Sequence, residues 1–432
     1  MSSVERWLGR FVPATPQERA AALWSFAYFF TLLAGYYVLR PLRDQMGIAG
    51  GVKNLPWLFT ATFAMLLVAQ PLYGALVARL PRVYFIPIVY HFFVANLALF
   101  WVLLTLGIEK GIVARVFFVW VSVFNLFAVA VFWSFMADIF TSEQGKRLFG
   151  FIGAGGTAGA LLGPIITIWL SVPLGPVNLM IAAVVFIELA VFCVHRLERV
   201  AIDNGNSRSA AENQTIGGGA FAGLIELVRS PFLFGIGAWV ALLSYAATIV
   251  YFEQANIVSA AVKTAGLQTR IFASIDLAVN LLTLATQVLV TGQLLKRFGA
   301  GVAAAALPAV YVVGFAVLAV SPTLVVIVTL QVVQRWMNFA IANPARQLFF
   351  TVVTREEKYK AKNLIDVVIY RGSDALSGWI FDSLQSLGLK LGGIALCSLP
   401  VVAGWSVLSV ALGRVHDSRS MRSEIMSAAQ AR

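Results

Sequence analysis

Residues 323–345, TLVVIVTLQVVQRWMNFAIANPA, form an apolar run long enough to cross a lipid bilayer, with Arg335 near its middle. A central arginine costs roughly 2.5–3.5 kcal/mol on membrane-insertion scales, and proteins keep one where it faces a protein interior or a water-filled path. Other apolar runs of the chain repeat the pattern and carry Arg40, Arg43, Glu188, Glu253, Asp276, Asp366, Arg371 and Asp374. So many charges in lipid-length helices are typical of a protein that moves a charged solute across a membrane.

The whole chain has the composition of a membrane protein. Of its 432 residues, 59% are hydrophobic and 12% are charged, whereas soluble domains carry about 25% charged residues. We predict an all-α, polytopic membrane protein with about twelve transmembrane helices, because apolar stretches of about 20 residues recur along its length. The predicted spans are 20–40, 55–79, 84–107, 112–139, 148–171, 176–195, 230–254, 269–295, 301–321, 323–350, 363–388 and 391–413.

Lysine and arginine are concentrated in alternate predicted loops, which places both termini on the cytoplasmic side of a bacterial inner membrane. The net charge of +12 therefore reflects basic cytoplasmic loops and not a nucleic-acid-binding surface, so we expect no nucleic-acid partner. Cys193 and Cys397 lie apart in apolar helices and the histidines form no cluster, so we expect no metal and no cofactor. The expected partners are a small anionic substrate and membrane lipids, and we expect a monomer.

A polar linker divides the predicted spans six and six. Residues 196–228 are rich in Gly, Ser and Asn, which is typical of a flexible connection. Similar loops follow corresponding spans of the two halves: GALVAR at 74–79 and GQLLKR at 292–297. This predicts two six-helix repeats of the major facilitator type. The predicted divisions are a cytoplasmic head at 1–19, six-helix halves at 20–195 and 229–413, the linker at 196–228 and a cytoplasmic tail at 414–432.

Candidate binding residues begin in the first span. Arg40 and Arg43 are three residues apart and share one helical face. Pro41 between them removes a backbone hydrogen bond and is predicted to kink the helix. The alternative is that these charges only mark the outer end of the span. Asp44 follows directly, and Glu253 lies near the predicted outer end of the seventh span.

The eighth and eleventh spans carry further candidates. Asp276 and Asn280 are four residues apart on one helical face. Arg371 and Asp374 are three apart and, with Asp366, are predicted to form a local charge network. We interpret Arg40, Arg43, Glu253, Arg335 and Arg371 as substrate-binding residues, and Asp44, Asp276, Asn280, Asp366 and Asp374 as gating or coupling residues.

Four motifs give the chain a resemblance to a known family. They are LRPLRD at 39–44, Phe132-Trp133 followed by FGFIGAG at 149–155, KRFGAGVAA at 296–304 and KYKAKNLIDVV at 358–368. With them the chain resembles the ATP:ADP antiporters, or nucleotide transporters, of plastids and intracellular bacterial parasites, and more closely their free-living bacterial relatives. The resemblance implies a major facilitator fold, nucleotide exchange, and substrate contacts at Arg43, Glu253 and Arg371.

The chain departs from this family at two positions. Nucleotide exchangers carry a glutamate in the fourth helix, around residues 121–125 here, but this chain has no acidic residue between Glu109 and Asp138. The family's first-helix motif has Lys-Asp where this chain has Arg43-Asp44. Both departures concern the substrate and leave the implied fold unaffected.

These observations predict a secondary active transporter of an anionic metabolite, of the ATP/ADP exchange type, working by alternating access. Arginine favours an anion because its planar fork matches phosphate and carboxylate oxygens. Two alternatives stay open: a proton-coupled transporter of an amphipathic or lipid-like compound, and a membrane receptor or scaffold that does not transport. The chain has no Walker loop, metal-ligand cluster or nucleophile motif, so we expect no enzyme activity.

Overall fold

The computed structural model describes residues 16–79, 82–203, 227–354, 361–362 and 364–430. Helices account for nearly all of these residues, and the described ranges contain no β-strand. In a bilayer every backbone N–H and C=O must find a partner within the protein, which favours helices for such an apolar chain. The all-α prediction is confirmed.

The described part of the first sequence half contains six long helices and a short 3₁₀ turn at Val52–Asn54. They are α1 (Pro16–Ala49), α2 (Leu55–Arg79), α3 (Arg82–Thr105), α4 (Lys110–Ile139), α5 (Ser142–Leu170) and α6 (Leu179–Asp203).

The second sequence half has the same general plan, with two interruptions by π-helix at Asn338–Ala342 and Leu364–Ile369. Its helices are α7 (Pro231–Ala261), α8 (Ala265–Leu289), α9 (Thr291–Val320), α10 (Leu324–Met337), α11 (Asn343–Phe349), α12 (Tyr370–Ser386) and α13 (Leu391–Gln430). A 3₁₀ turn at Phe350–Val352 follows α11.

Among the described residues, 11 helical segments are long and apolar enough to cross a membrane. The predicted span 363–388 is not one of them, because its α-helical part, α12, has only 17 residues and carries the charges of Arg371, Asp374 and Asp382. The π-helical segment Leu364–Ile369 directly precedes α12 and lengthens the helical part of this predicted span. The count is consistent with the predicted polytopic fold.

Several helix ends differ from the predicted span ends. Helix α1 continues through Pro41 to Ala49, so the charges near Pro41 lie inside a helix and not at its end. Residues 292–297, predicted as a loop, are helical, and the break comes at Gly299 with a φ of 74°. Helix α6 continues past the predicted start of the linker at 196 to Asp203, and residues 204–226 lie outside the described part.

Small residues allow α5 to approach α1 closely. A Cβ on Gly155 would lie 2.5 Å from the carbonyl oxygen of Phe26, and one on Gly163 would lie 2.6 Å from that of Ala34. Both distances are too short for any side chain, so the glycine face of α5 fixes the position of the α1 backbone. This packing holds the helix that carries Arg40 and Arg43.

The chain divides into two compact units that do not follow the sequence halves strictly. Unit 1 comprises Met1–Gly51, Ala64–Gln214 and Val262–Leu277, and unit 2 comprises Val52–Phe63, Thr215–Ala261 and Ala278–Arg432. The start of α8 thus belongs to unit 1, and the start of α2 belongs to unit 2. Each half of the sequence therefore contributes a short segment to the other unit.

Candidate functional site

In unit 1, Arg40 on α1 forms an ion pair with Asp276 on α8. The Nη1 atom of Arg40 lies 3.0 Å from Oδ1 of Asp276, whose side chain is only 1% exposed. The guanidinium also lies near the ring of Tyr37, with 5.9 Å between its Cζ atom and the ring centroid. The structure therefore brings together one predicted substrate-binding residue and one predicted gating residue that are far apart in sequence.

Arg43 lies one turn beyond Arg40 and contacts α4. Its Nε and Nη2 atoms donate to Oδ1 of Asp44 at 3.1 and 2.7 Å, and Nη1 donates to Oγ of Ser122 at 3.4 Å. Its Cζ atom lies 4.8 Å from the ring centroid of Phe118. Ser122 falls within the region where the family resemblance implies a glutamate, so in this chain a hydroxyl faces the cation of the first helix.

In unit 2, the predicted contact between Arg371 and Asp374 is present on α12. The Nη1 atom of Arg371 lies 3.3 Å from Oδ2 of Asp374. Two hydroxyls of α7 donate to Oδ1 of the same carboxylate: Ser244 at 2.6 Å and Thr248 at 3.1 Å. Asp374 is thus a junction between α7 and α12, which the sequence spacing alone did not indicate.

Asp366 does not join this network, and the predicted three-residue charge cluster is wrong in that respect. Its Oδ1 atom lies 2.7 Å from Nη1 of Arg346, a residue of α11 that the sequence reasoning did not select. Asp366 lies in the π-helical segment before α12, five residues before Arg371, so the three-residue spacing that places Arg371 beside Asp374 does not apply to it.

Arg335 lies in the last turn of α10, directly before the π-helical segment Asn338–Ala342. Its side chain is partly buried. Gln331 and Gln334 stand four residues and one residue before it, and Asn338 stands three residues after it, so all four share a polar face. The Oδ1 atom of Asn338 is buried and accepts no hydrogen bond from a described residue.

A chain of buried side chains runs from this face. Tyr311 of α9 donates to Gln334 at 2.7 Å, Gln334 donates to Gln331 at 2.7 Å, and Gln331 donates to Gln254 of α7 at 2.6 Å. The sequence reasoning missed these residues. The spacing of glutamines beside Arg335 within an apolar run was the signal that could have found them.

Glu253 is placed differently from the other candidates. Its side chain is 0% exposed, and neither carboxylate oxygen accepts a hydrogen bond from any described residue. It has no surface available to a substrate in this structure. Asn280 lies on α8 one turn beyond Asp276 and belongs to unit 2, whereas Asp276 belongs to unit 1.

The described residues contain no group of three or more His, Cys, Asp or Glu side chains that could hold a metal ion. Each of the two units instead carries its own Arg–Asp ion pairs.

Solved structures of membrane transporters match nearly the whole chain. A mutant of the nucleoside transporter NupG is 13% identical, with a TM-score of 0.61, over 92% of this chain and 98% of that one. A bacterial homologue of the iron transporter ferroportin in an inward-facing state is 10% identical, with a TM-score of 0.65, over 93% and 100%. The chain has the major facilitator fold.

A third match is a bacterial homologue of the human lysosomal transporter Spinster, 14% identical with a TM-score of 0.55, over 94% of this chain and 98% of that one. No family model matches the chain, and no curated protein matches it. The resemblance to ATP:ADP antiporters therefore finds no support from a family match, while the implied fold is confirmed.

Proposed function

We propose that this protein is a secondary active transporter that exchanges one anionic metabolite of the nucleotide class for another by alternating access. It resides in the bacterial inner membrane with both termini cytoplasmic, and it acts as a monomer surrounded by lipid. The observation that carries the proposal is a repeated arrangement: Arg40, Arg43 and Arg371 each pair with an aspartate, on α1 and α8 in unit 1 and on α12 in unit 2.

These pairs suit an anion because their cations remain partly accessible. The exposed fractions of the Arg40, Arg43 and Arg371 side chains are 18%, 19% and 37%. Phosphate oxygens offer the same acceptors as a carboxylate and fit the guanidinium fork. A bound phosphate can therefore replace the aspartate of a pair in either unit, and Arg335 is a further cation of unit 2.

Exchange is favoured over one-way movement by the charge of the substrate. Moving a charge across a membrane potential costs about 2.3 kcal/mol per elementary charge per 100 mV. Returning a second anion in each cycle offsets most of that cost. The structures that share the fold include a nucleoside transporter, which is compatible with a substrate of the nucleotide class.

The test is uptake of radiolabelled ATP and ADP into proteoliposomes that are either empty or preloaded with unlabelled nucleotide. We expect uptake only in preloaded vesicles, and we expect Arg43→Ala and Arg335→Ala to reduce it at least tenfold. Arg297→Ala is the matched control, because Arg297 is an exposed arginine outside the candidate site, and it should transport like the wild type.

Absence of nucleotide uptake by folded wild-type protein would remove ATP and ADP as substrates. Binding of nucleotide without uptake would instead favour the receptor or scaffold alternative. Equal loss of uptake in Arg297→Ala would mean that the arginine effects are not specific to the site.

A second candidate function is proton-coupled transport of an amphipathic or lipid-like compound. It is favoured by an apolar groove of about 540 Å³ between α9 and α10, lined by residues that include Val313, Gly314, Val325 and Leu330. This candidate predicts that transport tolerates Arg43→Ala, so the same variant separates the two functions.

A further inference from the structure

Glu253 is an acidic side chain on the membrane-length helix α7 that is buried without a hydrogen-bond partner among the described residues. It is 0% exposed, and both of its oxygens lack a hydrogen bond. The next residue, Gln254, is also buried but accepts a hydrogen bond from Gln331 at 2.6 Å. The hydrogen-bonded chain from Tyr311 to Gln254 therefore ends beside Glu253 without including it.

Enclosure of this kind decides the charge that the side chain carries. An ionised carboxylate without a partner costs several kcal/mol in a protein interior, whereas a neutral carboxylic acid avoids most of that cost. Asp276 and Asp374 are also buried, but each forms an ion pair with an arginine that compensates its charge. No cation in the described part of the chain does the same for Glu253.

The elements packed against α7 offer no alternative partner. They are α10, α12, α13, the π-helical segment Leu364–Ile369 and the turn Val52–Asn54, and the start of α2 contacts α7 through Phe59. Their charged or titratable side chains include Arg335, Asp366, Tyr370, Arg371, Asp374, Asp382, Cys397 and Lys53. None of these described side chains forms a hydrogen bond with Glu253. Tyr245, two turns earlier on α7, forms a hydrogen bond with Ser398 at 3.0 Å.

We propose that Glu253 is a proton-binding site of the transport cycle. It holds a proton in the enclosed state described here and releases it as the carboxylate when the cycle opens α7 to water or to a cation. This inference rests on the proposed transport function and names its coupling ion. A proton that accompanies an anion cancels one negative charge and lowers the electrical cost of the step. The structure assigns the proton to Glu253 and not to Asp276, which already has Arg40.

The first test detects the protonated carboxyl group directly and needs no substrate. Infrared spectra are recorded at neutral pH for the wild type, Glu253→Gln and Glu188→Gln, each reconstituted in lipid. The wild-type spectrum minus that of Glu253→Gln is expected to show the C=O band of a protonated carboxyl group. A carboxylate band in that difference would overturn the proposal. Glu188→Gln is the matched control, since Glu188 lies in a membrane-length helix, is 44% exposed and faces His91.

The second test measures coupling in proteoliposomes loaded with ADP and given external ATP, with and without a pH gradient. With one proton per cycle, a gradient of about one pH unit is expected to change the ratio of internal to external ATP reached at equilibrium about tenfold. Glu253→Gln should lose this response, whereas Glu188→Gln should retain it. A response in Glu253→Gln equal to the wild type would refute the assignment. If the wild type moves no ATP, the nucleotide proposal fails while the infrared result still decides the proton site.

Discussion

Helices α2 and α8 are the second helices of the two sequence halves, and the first part of each belongs to the unit built mainly from the other half. The contacts that hold the two segments differ in kind. In unit 1, α8 is held by the ion pair between Asp276 and Arg40. In unit 2, the start of α2 is held by aromatic rings, including Trp57 and Trp379 with centroids 4.9 Å apart.

The two kinds of contact respond differently when one residue is replaced. A buried ion pair needs both partners, because loss of one leaves an uncompensated charge. An aromatic cluster spreads its contribution over many atom contacts, so it weakens gradually. Phe59 adds a second ring contact to the α2 segment, 5.2 Å from Phe252. Loss of one charged partner is therefore expected to disturb the α8 segment more than loss of one ring disturbs the α2 segment.

The largest effect is expected from Asp276→Ala. This change leaves Arg40 without its buried carboxylate and should lower the free energy of unfolding by about 3–5 kcal/mol. The measurement is denaturant unfolding of the purified protein in detergent. The double variant Arg40→Leu/Asp276→Leu should lose less than the single variant, because no charge is then left without a partner. A double variant less stable than Asp276→Ala would contradict this account of the pair.

A smaller effect is expected from Gly266→Ala at the start of α8. The new Cβ would lie 2.6 Å from the carbonyl oxygen of Ser171, so backbone must move, at a cost of about 1–3 kcal/mol. Gly292→Ala is the control, because nothing lies within 4 Å of its Cβ position, and its effect should stay within about 0.5 kcal/mol. Equal melting temperatures for the two variants would show that α8 does not pack closely on Ser171.

The smallest effect is expected from Trp379→Phe in the aromatic contact. The change keeps a ring but removes the hydrogen bond from Nε1 to Oγ1 of Thr60, 3.0 Å long, and should cost about 0.5–1.5 kcal/mol. The check is a double-mutant cycle with Thr60→Val. Because both single variants lose the same hydrogen bond, the double variant should lose less stability than the sum of the two single losses. Losses that are strictly additive would argue against the bond.

Short-range pairs within the candidate site were predictable, and most long-range partners were not. The contact of Arg371 with Asp374 follows from their spacing of three on a helix. The partner of Asp366 does not, because Arg346 belongs to a separate helix, α11, and no helical spacing relates the two residues. The chain from Tyr311 to Gln254 joins three separate helices, so sequence spacing indicates only its middle pair, Gln331 and Gln334.

The sequence by itself determined the fold class of this protein. Repeated apolar runs of bilayer length leave helices as the backbone structure that satisfies all its polar groups, and arginines within them mark an interior that lipid does not reach. Only the tertiary structure decided that Asp276 meets Arg40, that Ser122 faces Arg43, and that Glu253 is enclosed without a hydrogen-bond partner among the described residues. Helical periodicity relates residues a few positions apart, whereas these environments depend on how separate helices pack.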